Sequence, residues 1–151
     1  MALLAGTAWG IDIETVTIAA SVLERLTLVF SGRNLAFGEL APNRGPTTLP
    51  RGLTFNVKSN SLWVLEVIAA DDLRNLQRPG VVMPAERLLV RRVGEGAFQP
   101  ASKTVQRQVA VGQPTPAQGV DLSFDLQLAA QWEDQPGNYQ TTLRFILHSR
   151  P

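Results

Sequence analysis

Apolar and polar residues alternate with a period of two along most of this chain. That period is the mark of strands with one buried and one wet face. The longest run places Val120, Leu122, Phe124, Leu126 and Leu128 on one face and Asp121, Ser123, Asp125 and Gln127 on the other. The last strand repeats it. There Tyr139, Thr141, Leu143, Phe145 and Leu147 alternate with Gln140, Thr142, Arg144, Ile146 and His148. Leu53, Phe55 and Val57 lead through Ser59-Asn60-Ser61 to Trp63, Leu65 and Val67, which predicts a β-hairpin with a short polar loop. Leu26, Leu28 and Phe30 predict a strand ended by Ser31-Gly32, and Arg87 to Val93 and Thr104 to Val111 predict two more, parted by Gly94-Glu95-Gly96. A first strand is predicted over Ile11 to Ile18. Its apolar phase slips at Glu14-Thr15, between Ile11 and Ile13 on one side and Val16 and Ile18 on the other, as a bulge would cause.

Helical signal is confined to Ala69 to Leu76, where Asp71 or Asp72 could cap a single turn before Pro79-Gly80 ends it. The ten prolines and twelve glycines fall mainly between the strands, as turn punctuation does. The pattern predicts an all-β fold: a two-sheet, Ig-like or Greek-key β-sandwich of about seven to nine strands. Its predicted core includes Phe30, Phe55, Trp63, Leu65, Phe124, Leu126, Leu143 and Phe145. One domain over residues 10–151 accounts for the chain of 151 residues.

Composition narrows the function. Fourteen basic and thirteen acidic residues give a formal charge of +1, which argues against a nucleic-acid partner. The chain has no cysteine, so disulfides, thiolate metal sites and cysteine nucleophiles are excluded together. No apolar run approaches the roughly 18 residues of a membrane-spanning helix. The single histidine, His148, sits on the strand face shared with Arg144 and Gln140, which reads as surface. Gly94-Glu95-Gly96 lacks the lysine and following helix of a phosphate loop. The acidic pairs Asp71-Asp72 and Glu133-Asp134 stand beside turns, where adjacent carboxylates point apart and suit neither glycoside hydrolysis nor calcium. The expectation is a protein without catalytic residues, cofactor or metal. Trp63 falls in the buried phase of its strand, whereas Trp132, before Glu133-Asp134-Gln135-Pro136-Gly137, could meet a ligand at the rim. Tyr139, two residues after Gly137, fits a tyrosine corner.

Three segments in order carry a resemblance. They are Leu35-Ala36-Phe37-Gly38-Glu39-Leu40-Ala41-Pro42; Leu53 to Val67 with its Trp-x-Leu-x-Val strand; and Pro136-Gly137-Asn138-Tyr139 running on to Phe145. Together the stretch Leu26 to Leu147 resembles bacterial surface β-sandwiches of the spore coat protein U and fimbrial-subunit type. Those families generally carry cysteines, and they often place an acidic residue where Thr141 and Thr142 stand here. The resemblance implies export to the cell surface or beyond, self-association or association with other surface proteins, and a non-catalytic structural role in a filament, coat or extracellular matrix. It also implies assembly by donation of an N-terminal strand carrying Ile11, Ile13, Val16 and Ile18. Two readings of that strand stay open, donation to a neighbour or pairing within its own sheet. Residues 1–9, apolar and ending in small residues, read either as an apolar leader or signal remnant or as the lead-in to that strand. The alternative function is an accessory module that binds carbohydrate, a polysaccharide for instance, or protein.

Overall fold

A computed structural model describes residues 10–31 and 35–150. The predicted leader, residues 1–9, lies outside them. Among the described residues the protein is an all-β sandwich of eleven strands in antiparallel sheets, and its one helical element is a short 3-10 turn, Ala85–Arg87. The strands are β1 (Leu26–Phe30), β2 (Thr47–Ser59), β3 (Trp63–Ala69), β4 (Leu73–Asn75), β5 (Val82–Met83), β6 (Leu89–Arg92), β7 (Gln99–Pro100), β8 (Arg107–Gly112), β9 (Val120–Leu128), β10 (Tyr139–Gln140) and β11 (Leu143–Ser149). One layer is ordered β1-β2-β9-β6-β7, and the other β11-β3-β8. A third, small sheet, β10-β4-β5, continues the second layer past a bend, where Ala70 N donates to Thr142 O at 2.8 Å.

The core forms where the apolar phases of the two layers meet. Leu53, Phe55 and Val57 of β2 and Leu122, Phe124 and Leu126 of β9 face Trp63 and Leu65 of β3 and Ala110 of β8. Phe124 is fully buried and lies edge-on to Phe55, ring centroids 6.1 Å apart. Trp63 donates from Nε1 to Gln113 O at 2.9 Å, which satisfies the one polar atom the ring brings inside. A Cβ built on Gly112 would stand 2.2 Å from the Trp63 ring, so only glycine fits beneath it. A second cluster, Leu73, Met83, Leu88, Ala101 and Leu128, fills the space under the small sheet, and Phe37 packs against both clusters.

Four expectations are corrected. The Leu53–Val67 segment is not a hairpin: β2 pairs with β1 and β9, β3 pairs with β8 and β11, and the turn between them crosses from one layer to the other. A short polar turn looks alike in both cases. The helical turn at Ala69 to Leu76 is instead the strand β4. Leu73 and Asn75 are buried two residues apart, and Asp72 Oδ1 accepts from Ala85 N rather than capping a helix. Phe30 is 49% exposed although its ring touches Phe55, with centroids 5.1 Å apart, because nothing closes the layer beyond β1. The predicted strand Ile11 to Ile18 is also absent: residues 10–25 have no strand partner and lie outside the sandwich.

Candidate functional site

Sequence and structure meet most pointedly at the N-terminal arm, residues 10–25, and at the side of the sandwich where β1 and β11 lie. The four candidate donor residues are almost bare: Ile11 is 85% exposed, Ile13 76%, Val16 77% and Ile18 90%. Val22 and Leu23 are exposed as well. Isolated exposed aliphatics are ordinary, but six within thirteen residues form the kind of apolar surface that marks an interaction. The arm carries neither turn nor bend. Among the described residues its hydrogen bonds to the body run through Asn60, in the turn after β2. Arg25 N donates to Asn60 Oδ1 at 2.8 Å, Asn60 Nδ2 donates to Leu23 O at 2.8 Å, and Asn60 N donates to Arg25 O at 3.3 Å.

Among the described residues both layers end unpaired on one side. In β1 the bonds from Ser31 N to Thr54 O and from Asn60 N to Arg25 O place the odd-numbered residues in the hydrogen-bonded pairs with β2. By the alternation of an antiparallel ladder, Leu26, Leu28 and Phe30 then turn their N–H and C=O groups away from β2. In β11 the bonds from Ala70 N to Thr142 O and from Arg150 N to Leu62 O place the even-numbered residues against β3, so Leu143, Phe145 and Leu147 turn their backbone groups outward. These six residues also supply side chains to the inner face. Leu26, Leu28, Leu143, Phe145 and Leu147 pack against the core without being fully covered, whereas the central inward residues of β2, β3 and β9 are buried. Phe145 packs at a tilt against Phe55, ring centroids 4.6 Å apart. β1 and β11 approach within 8 Å across this seam yet share no ladder. The result is an apolar seam flanked by two rows of free backbone groups.

The other candidates sit elsewhere. Tyr139 donates from its hydroxyl to Gln135 O at 2.7 Å, four residues upstream, the bond expected of a tyrosine corner. Close by, Asn75 is wholly buried. Its Oδ1 accepts from Gln77 N and Arg78 N, its Nδ2 donates to Pro136 O, and Gly137 packs against it. Trp132 is 78% exposed at the tip of a turn. That turn is pinned by Arg87, which donates to Asp134 at 2.7 and 2.5 Å and to Ala129 O at 2.8 Å, while Gln131 N donates to Asp134 Oδ2 at 2.7 Å. The bond from Arg87 holds the Asp134 carboxyl below the ordinary value, and the same bond raises Arg87. Asp134 is thus committed to an ion pair.

Asp125 faces the polar side of β9 yet is buried. Its carboxyl accepts from Arg51 N at 2.8 Å and from Arg91 at 3.0 Å, and these bonds, the one from Arg51 foremost, lower its pKa. Arg51 sits at φ 52° in the β2 bulge between Leu49 and Leu53, so Asp125 holds a backbone turn that a non-glycine residue rarely adopts. Asp71 pairs with Arg74, and Asp72 with Lys103 at 2.7 Å. His148 is a surface residue. Its Nε2 lies 2.6 Å from Glu66 Oε1 and its Nδ1 3.0 Å from Ser149 O, two acceptors that together suit the protonated ring and raise its pKa, Glu66 foremost.

Among the described residues no group of three or more His, Asp or Glu side chains gathers at metal-binding spacing, and no helix is long and apolar enough to cross a membrane. A cleft of about 220 Å³ lies among Pro46, Arg87, Leu89, Gln127 and Gln131, and one of about 340 Å³ between β6 and β8. Sequence reasoning singled out Ile11, Ile13, Val16, Ile18, Tyr139 and Trp132 but not Asn60, whose partners in the arm stand 35 and 37 residues away. No protein-family model matches the chain, and no curated protein matches it.

Proposed function

We propose that this chain is a non-catalytic structural subunit of a bacterial surface filament, coat or extracellular matrix, secreted or held at the cell surface, and that subunits join by N-terminal strand donation. One observation carries the reading: residues 10–23 leave their apolar side chains in solvent while the β1–β11 seam leaves two sheet edges unpaired. An extended arm and an open apolar edge in one molecule are complementary. An added strand gains backbone bonds and buries alternate side chains. The seam approaches within 8 Å, and seating a strand against both edges takes two spacings of about 4.8 Å. Insertion therefore parts β1 from β11 and lays aliphatic side chains over Phe30, Phe145 and Leu28. The donor is a second copy, since every copy carries both parts. The contact is head-to-tail and propagates unless the rotation closes it into a ring.

Electron microscopy and sedimentation of the purified protein test this. Ordered polymer is expected from the full chain, and none from a chain lacking residues 1–18. A peptide of residues 10–23 should bind the truncated chain and raise its thermal midpoint. A truncated chain that assembles as before would overturn the reading. The second reading, an accessory module that binds carbohydrate or protein, draws on exposed Trp132 at its pinned turn. Its test is whether Trp132→Ala abolishes retention on immobilised polysaccharide.

A further inference from the structure

A tethered arm should prefer its own seam to a neighbour's. A segment on a short flexible linker acts at an effective concentration on the order of millimolar, about a thousandfold above micromolar protein, unless geometry forbids it. In this chain the arm nevertheless lies outside its own sandwich. Resting on the strand-donation reading, we infer that Asn60 is a positioning residue that keeps the arm out of its own seam and so commits it to a second copy.

The tightest reversal that would lay the arm along the free edge of its own β1 falls between Leu23 and Leu26, the residue that opens β1 opposite Ser59. Asn60 grips the chain on both sides of Glu24, through Leu23 O and Arg25 N, and its own backbone N–H takes Arg25 O. A chain held on both flanks of Glu24 cannot make that tight turn, which leaves only a wider loop through residues 19–22 as a way back. Asn60 meets this requirement with one acceptor and one donor on a side chain short enough to stay close to the backbone. Aspartate would keep the acceptor for Arg25 N but would place an oxygen against Leu23 O. Alanine would keep only the backbone bond. Among the described residues no other side chain hydrogen-bonds the arm, so the restraint is concentrated in this amide.

The test compares the wild-type chain with Asn60→Ala and Asn60→Asp, all full length, by size-exclusion chromatography, limited proteolysis of the arm and thermal unfolding of the monomer fraction. Asn60→Ala should raise the ratio of monomer to polymer at least tenfold. Its monomer should resist cleavage between residues 10 and 23, and it should melt above the wild-type monomer because its seam is filled. Asn60→Asp should move all three readouts the same way by less. A merely structural Asn60 would lower the melting temperature and leave the arm cleavable, and that result overturns the inference. So does a variant that polymerises as well as wild type or better. The donation reading fails separately, if wild-type assembly survives deletion of residues 1–18.

Discussion

Ile18→Ala separates a side chain used within the subunit from one used between subunits. Ile18 is 90% exposed, so nearly all of its apolar surface is free to be buried on contact. Fully burying such a side chain is worth about 1.5–3 kcal/mol, and alanine forfeits most of that. At about 1.4 kcal/mol per tenfold, the loss raises the critical concentration for assembly roughly 10- to 100-fold. The same substitution touches nothing in the isolated subunit, where exposed replacements change stability by about 0.5 kcal/mol or less. Two measurements decide the matter: the concentration at which polymer first pellets, and the denaturation midpoint of dilute monomer. A shifted critical concentration with an unmoved midpoint is expected. A destabilised monomer would show that Ile18 belongs to its own core, and an unchanged critical concentration would show that the residue joins no interface.

Phe124→Ala, at the fully buried centre of the aromatic group, should cost about 3–5 kcal/mol by chemical denaturation, with a loss below about 1 contradicting its place in the core. Arg87→Ala leaves Asp134 without its partner in a largely covered pair and should cost about 3–5 kcal/mol, whereas Asp71→Asn, in an exposed pair, should cost under about 1. Asp125 and Asp134 have folded-state pKa values below the ordinary 3.8, so their contribution is complete above that value and disappears as pH falls through the lowered ones; Asp134→Asn should flatten this acid limb in a urea-midpoint profile against pH. His148 is raised, so its small contribution is full below pH 6.5 and is lost as pH climbs through the raised value; His148→Gln should erase that decline.

Strands with strict alternation were legible in the sequence. The run Val120 to Leu128 is β9 residue for residue, because one face meets the core and the other, Asp125 apart, stays at least partly open to solvent. Segments governed by distant partners were not. Asp125 belongs to the polar phase, yet it is drawn inside by Arg51, 74 residues away. Asn75 reads as part of a helical turn and instead is the buried hub of three backbone contacts, two of them local and one from Pro136. Phe30 is apolar and in phase, but exposure depends on what lies beyond its strand, which periodicity does not encode. The arm shows the same limit from the other side. Its alternation announces a strand, and no sheet of its own subunit takes it.

The order of pairing gives the open seam a place in time. β2 finds β9 through partners as distant as Thr47 and Leu128, and β3 finds β11 through Trp63 and Ser149. Contacts so far apart in sequence close slowly, and none can form on a ribosome until the second partner has been made. β11 is the last of the described strands, so on the strand-donation reading the seam that would receive an arm forms only after every other described strand has been made. The arm, residues 10–25, precedes all of the described strands. At about 5–20 residues per second the arm is made several seconds before β11, so on that reading a new copy can donate a strand before it can accept one.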